Sequence, residues 1–125
     1  MQYALFLNYL EAQDADISEE AMREAMGAFD EYAAALGEAG AMVGVQILQP
    51  VAMSTTLTLR SGSLQVQDGP FIDTKERIGG VFVIDVPDLD AAIAWAERCP
   101  AAQWGSIEIR PTALTWSSER GWYQG

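Results

Sequence analysis

The chain has 125 residues, half of them hydrophobic, and sets 18 Asp and Glu against 7 Lys and Arg for a formal net charge of −11. That is long enough for one buried core and too acidic to grip a phosphate backbone or an anionic lipid surface. Its apolar runs fall far short of the roughly 20 residues that span a bilayer, its start lacks the features of a secretory leader, and its single cysteine cannot close an internal disulfide, so a cytoplasmic location is expected.

Residues 3–9, Tyr-Ala-Leu-Phe-Leu-Asn-Tyr, are β-prone and apolar at both parities, which predicts a central strand. After a polar stretch over residues 11–17, Ser18 is a good N-cap, and Glu19 and Glu20 stand where the helix dipole favours negative charge. The long helix that follows carries Met22, Met26, Phe29, Ala33 and Leu36 at spacings of three or four and stops at Gly40. Residues 41–48 and 55–60 read as strands. Ser61-Gly62-Ser63 then turns the chain into residues 64–67, which predicts a hairpin.

Asp68-Gly69-Pro70-Phe71 breaks that hairpin strand. An Asp in a turn usually accepts the N–H two residues on, but Pro70 has none, so the carboxylate must look to Phe71 N–H, water or a ligand. Gly69 relieves the crowding a proline imposes on its predecessor, and Phe71 can anchor the loop in a core. A polar loop over residues 73–77 leads through Gly79-Gly80 into Val81-Phe82-Val83-Ile84-Asp85-Val86, whose alternating side chains are apolar on both faces. Two helices can roof one face of such a strand; the other face calls for a second copy of the sheet, so a dimer is expected. Pro87-Asp88 ends the strand and caps a helix over residues 89–98, residues 105–110 form the last strand, and residues 112–125 read as an irregular tail.

The element order gives two βαβ-like halves with a hairpin inserted between them, which favours an α+β ferredoxin-like sandwich over an open doubly wound α/β sheet. In the last strand Ile107 and Ile109 share one face, and Glu108 and Arg110 share the other. If the isoleucines meet the helices, Glu108 and Arg110 face the space between two sheets of a dimer, where Asn8, Thr56 and Thr58 join them. A charged pair against apolar walls suits a small anionic or carbonyl ligand, with Arg110 as a fork for a carboxylate.

With no histidine in the chain, acid–base work would fall to carboxylates, Lys, Tyr or Cys99. Asp68 is then the candidate base, with Phe71, Lys75, Glu76 and Arg77 on the rim. No metal signature or phosphate-binding glycine loop is present, and no cofactor is assigned. Asp85 is an isolated charge in an apolar strand, to be satisfied by solvent or by the N-terminus of the second helix. Cys99, at a helix C-terminus, reads as a packing residue. Trp95 and Trp104 are expected around the second helix, and Trp116, Trp122 and Tyr123 on a contact with a partner subunit.

Val66-Gln67-Asp68-Gly69-Pro70-Phe71, Thr74-Lys75-Glu76, Ile78-Gly79-Gly80, the run Ile84-Asp85-Val86-Pro87-Asp88-Leu89-Asp90, Trp95-Ala96, Cys99-Pro100 and Ile107-Glu108-Ile109-Arg110-Pro111 together resemble the YCII-related family, in the bacterial branch named for the Asp-Gly-Pro-Phe motif (DGPF). The resemblance covers residues 1–111 as one domain, with 112–125 left as the tail. It implies a dimeric α+β barrel of ferredoxin-like protomers. Distant relatives resemble dehydrochlorinases that use a His-Asp pair, which a chain without histidine cannot carry over. Relatives beside or fused to sigma factors imply a regulatory or ligand-sensing role, exerted here through a protein partner. Three readings result: a small-ligand-binding homodimer accessory to transcriptional regulation, a lyase or isomerase using Asp68, Glu108 and Arg110, and a ligand-free protein-interaction module.

Overall fold

The computed structural model describes residues 1–11, 17–70 and 76–125. It is a mixed α+β fold of two helices and antiparallel sheets. The chain runs β1 (Gln2–Tyr9), α1 (Glu19–Glu38), β2 (Met42–Ile47), β3 (Thr55–Thr58), β4 (Gln65–Asp68), β5 (Arg77–Asp85), α2 (Leu89–Arg98), β6 (Gly105–Pro111), β7 (Thr115–Ser117) and β8 (Gly121–Tyr123). Four strands form the main sheet in the order β2-β5-β1-β6, while β3-β4 and β7-β8 are separate two-stranded sheets. All pairings in the main sheet are antiparallel, which removes the doubly wound alternative. The two halves interlock: β5 lies between β1 and β2, and β1 between β5 and β6.

Both helices are capped as the sequence predicts. Ser18 Oγ accepts from Ala21 N at 3.1 Å and Asp88 Oδ1 from Ala91 N at 2.9 Å, while Gly40, at φ 71, lets the chain turn out of α1. The central pair β1–β5 sets Tyr3 opposite Ile84 and Leu5 opposite Phe82. Those four side chains form the core with Leu7, Tyr32 and Leu36 of α1, and Ala92 and Ala96 of α2. The Tyr32 hydroxyl donates to the Trp95 carbonyl at 2.8 Å and ties one helix to the other.

The opposite face of the sheet carries Ala4, Phe6, Val81 and Val83, each half-buried. In β6, Ile109 pairs with Leu5 and Ile107 with Leu7, whereas Arg110 pairs with Ala4 and Glu108 with Phe6. The alternation read from the sequence therefore holds, with the charged pair on the face away from the helices.

Four expectations are corrected, the last of them in part. β5 begins at Arg77 and not at Val81: Gly79 and Gly80 are strand residues where backbone and side chains crowd, since a Cβ at Gly79 would overlap the Tyr9 ring and one at Gly80 would stand 3.1 Å from the Gln46 carbonyl oxygen. The tail is not irregular, because β7 and β8 pair with Trp116 opposite Trp122. Its anchors are hydrogen bonds from Gln2 N to the Gly125 carbonyl and from Thr115 Oγ1 to Gln2 Oε1. Trp104 packs edge-on against Tyr9 and Phe29, 5.5 and 5.7 Å between ring centroids, and so braces α1 instead of α2. Asp85 meets solvent as expected, its side chain being 52% exposed, but its charged partner is the amino group of Met1 at 3.0 Å and not the second helix.

Burial raises the phenol pKa of Tyr32 well above its ordinary value near 10. The raised value makes its contribution to stability fully present below pH ~10 and lost as pH climbs above that toward the folded-state value. Tyr32→Phe strands the Trp95 carbonyl and is expected to cost about 1–2 kcal/mol in urea unfolding at pH 7. It should also flatten the alkaline fall in stability relative to the parent protein.

Candidate functional site

The apolar stripe of α1 is seated on the sheet only in the C-terminal half of the helix, where Tyr32 and Leu36 are buried. Its N-terminal half has no buried residue, and Met22 and Met26 are 39% and 67% exposed. Beneath that overhang lies a cavity of about 960 Å³, bounded by α1, the end of β1, the residues after β2, the start of β5 and the turn after α2. Its walls are mostly apolar: Met22, Met26, Phe29, Ile47, Ile78 and Trp104 contribute. The volume is at the upper end of the range of roughly 300–1,000 Å³ for small-molecule sites.

Glu24, Glu31, Gln49, Arg98 and Gln103 also border the space, but the buried polar feature of the wall is a carboxylate–guanidinium pair. Glu11, just past β1, is 8% exposed, and its two oxygens accept from Val51 N at 3.1 and 3.2 Å. Arg77, 18% exposed at the start of β5, brings Nε to 3.6 Å from Glu11 Oε1. The carboxylate thus closes the connection after β2 onto the sheet end and holds a guanidinium beside the cavity. Tyr9 borders the same space; burial first, and then the charges of Cys99 and Glu11, raise its phenol pKa, so it is a neutral hydroxyl at physiological pH.

The residues expected from the sequence are distributed differently. Glu108 and Arg110 do stand together, with Arg110 Nε 3.7 Å from Glu108 Oε2, but they are 59% and 69% exposed. An ion pair in that much water contributes little. Asn8 lies on β1, opposite Ser106 of the same sheet. Thr56 and Thr58 lie in the separate β3–β4 hairpin and do not extend the Glu108 face. Asp68 ends β4, exposed, and makes no hydrogen bond or ion pair with Glu108 or Arg110. Gly69 has φ 98, the left-handed region, and the corner is closed by Gly69 N to the Ser54 carbonyl and by Thr56 Oγ1 to the Gly69 carbonyl. Phe71 and Lys75 lie outside the described residues.

Glu11 was hidden in the sequence within a polar stretch. The signal that marks it is its place directly after an apolar strand, where a charge can turn inward. Cys99 is 1% exposed, and burial raises its thiol pKa against the opposing Ala101 backbone hydrogen bond, which suits packing and not nucleophilic attack. Among the described residues no group of three His, Cys, Asp or Glu is placed to hold a metal ion, and no helix is long and apolar enough to cross a membrane.

A family model for the YCII-related domain matches residues 1–114. An uncharacterized protein of Rhizobium meliloti (strain 1021) is 40% identical over 79 residues, covering 62% of this chain and 64% of that relative. The match therefore spans less than two thirds of the relative's length.

Arg77→Met leaves the Glu11 carboxylate buried beside an apolar chain, and a loss of about 3–5 kcal/mol is expected by urea unfolding at pH 7. The Cys99 thiol should react with a disulfide reagent only at the rate of global opening, so that its labelling slows as stability is raised and becomes immediate in denaturant.

Proposed function

The chain belongs to the YCII-related domain family, and we propose that within it the protein is a small-ligand-binding homodimer. The observation that carries this reading is the cavity under α1, with its apolar walls and the Glu11–Arg77 pair set into them. Such a site suits a molecule with an apolar body and a carboxylate or carbonyl end, the body against Phe29, Ile78 and Trp104 and the polar end toward Arg77.

The dimer is supported by surface area. A folded monomer of this mass, 13.6 kDa, exposes about 6,600 Å² on average. This chain exposes 8633 Å², an excess of the size that one subunit commonly gives up on forming a homodimer. The half-buried apolar face of Ala4, Phe6, Val81 and Val83 is the surface on which a second sheet would lie. The interlocked strand order supports reading the protomer as ferredoxin-like, and two such sheets face to face would make an α+β barrel. Glu108 and Arg110 would then line a shared interior, with Asp68 of the DGPF branch motif near its rim, as a second ligand position. Catalysis with Asp68 as base is the weaker reading, since Asp68 and Arg110 stand on separate sheets. In a cytoplasmic setting, an acidic ligand-binding dimer of this kind would pass its signal to transcription through a protein partner and not by contacting DNA.

Phenylacetate, benzoate and octanoate serve as probes, read by thermal unfolding. At least one is expected to raise the melting temperature of the parent protein. Ala25→Trp, which fills the cavity from α1, should abolish that rise while Arg110→Ala leaves it intact. Stabilisation that survives Ala25→Trp and is lost in Arg110→Ala would move the site to the shared interior. No stabilisation by any of the three would count against a carboxylate-ended ligand. Light scattering at micromolar concentration should report twice the chain mass.

A further inference from the structure

We propose that the β3–β4 hairpin is a clasp, whose apolar stripe lies on a second copy of this chain. The stripe is Leu57, Leu59, Leu64 and Val66. Leu57 and Val66 are directly paired, and Leu59 and Leu64 follow at the same parity, one residue beyond the strand ends on either side of the turn. They are 59%, 62%, 61% and 58% exposed. The reverse face of the hairpin is polar, with Thr56 opposite Gln67 and Thr58 opposite Gln65. The hairpin is thus amphipathic with its apolar side in water, the inverse of what a solvent-facing ribbon needs.

A two-stranded hairpin with its apolar face in water is marginal, and among the described residues this one forms no ladder with the main sheet. Its base is nevertheless fixed, through Gly69 N to the Ser54 carbonyl at 2.8 Å and Thr56 Oγ1 to the Gly69 carbonyl at 2.7 Å. A ribbon held at its root and greasy along one side is built to lie on something. The occupant is a second copy because the accessible surface exceeds that of a folded monomer of this mass by about 2,000 Å². That matches one subunit's share of an extensive homodimer interface, and the exposed hairpin stripe is part of that surface. This rests on the dimer proposed above and adds to it a contact outside the sheet.

The test uses the buried Cys99 as a silent background. In the full chain, Leu64→Cys places a thiol on the stripe and Gln65→Cys places one on the polar face beside it. Both are labelled with a maleimide across a dilution series whose oligomeric state is followed by light scattering. At concentrations where the protein is dimeric, the Leu64→Cys thiol should label at least about tenfold more slowly than the Gln65→Cys thiol, the two rates converging on dilution to the monomer. In parallel, the double variant Leu57→Ser/Leu64→Ser should raise the dimer dissociation constant at least about tenfold while keeping its circular dichroism. Equal labelling rates in a protein that scatters as a dimer would overturn the clasp and leave the sheet-to-sheet dimer standing. Protection that persists in the diluted monomer would also overturn it, by showing the stripe covered within its own chain. A protein monomeric at every concentration would remove dimer and clasp together.

Discussion

Pairing of β1 with β5 is the contact on which the rest of the structure depends. It sets Leu5 against Phe82 and Tyr3 against Ile84, joining residues almost eighty positions apart, and it supplies the surface on which both helices come to rest. Because β5 separates β1 from β2, and β1 separates β5 from β6, neither βαβ half can complete its own hydrogen-bond ladder. Each half lends the other its middle strand. A chain built this way has no stable half-product, and loss of the central pair is loss of the whole core.

The same pairing explains where the cavity lies. α1 spans 20 residues, about 30 Å at the α-helical rise, and its stripe of Met22, Met26, Phe29 and Leu36 extends past the part of the sheet it can cover. Only the second half finds Phe82 beneath it, with Phe29 stacked on that ring at 6.3 Å and Tyr32 edge-on to it at 5.2 Å. The first half hangs beyond the sheet end, and the space beneath is walled by whatever leaves the strands there: Glu11 from β1, Val51 from the connection after β2, and Arg77 and Ile78 entering β5. Methionine on the overhanging face is apt, since its flexible thioether adapts to an irregular neighbour.

Much of this architecture was legible in the residues. The caps Ser18 and Asp88, the stop at Gly40, the two-faced strands and the split of Ile107 and Ile109 from Glu108 and Arg110 all follow from local chemistry and periodicity, and all appear. The hairpin of β7 and β8 was missed although it left a local signal: Gly121 stands between two tryptophans, with three residues separating it from Ser117 and a φ of 67 in the left-handed region that such a turn uses. Its polar Ser117-Ser118-Glu119-Arg120 composition hid it. Gly79 and Gly80 misled in the other direction: a Gly-Gly pair reads as a turn, but here the missing side chains make room for the Tyr9 ring and the Gln46 backbone. That requirement comes from a residue seventy positions away, which no local pattern contains.

The candidate site shows most sharply what a sequence leaves out. Glu11–Arg77 and Glu108–Arg110 are the same chemical pair at nearly the same separation, 3.6 and 3.7 Å. They differ in water: the first pair is 8% and 18% exposed, the second 59% and 69%. Solvent screens the second almost to nothing and leaves the first with most of its field. Alternation places Glu108 and Arg110 on one face correctly, but burial depends on what stands over that face, and a strand pattern holds no information about a neighbour contributed by another part of the chain or by another subunit. Glu11 is buried because the chain after β2 returns over it and donates Val51 N–H to both its oxygens. For Glu108 and Arg110 the corresponding cover is the second sheet of the proposed dimer, so whether that pair is a site at all is a property of the assembly and not of the protomer.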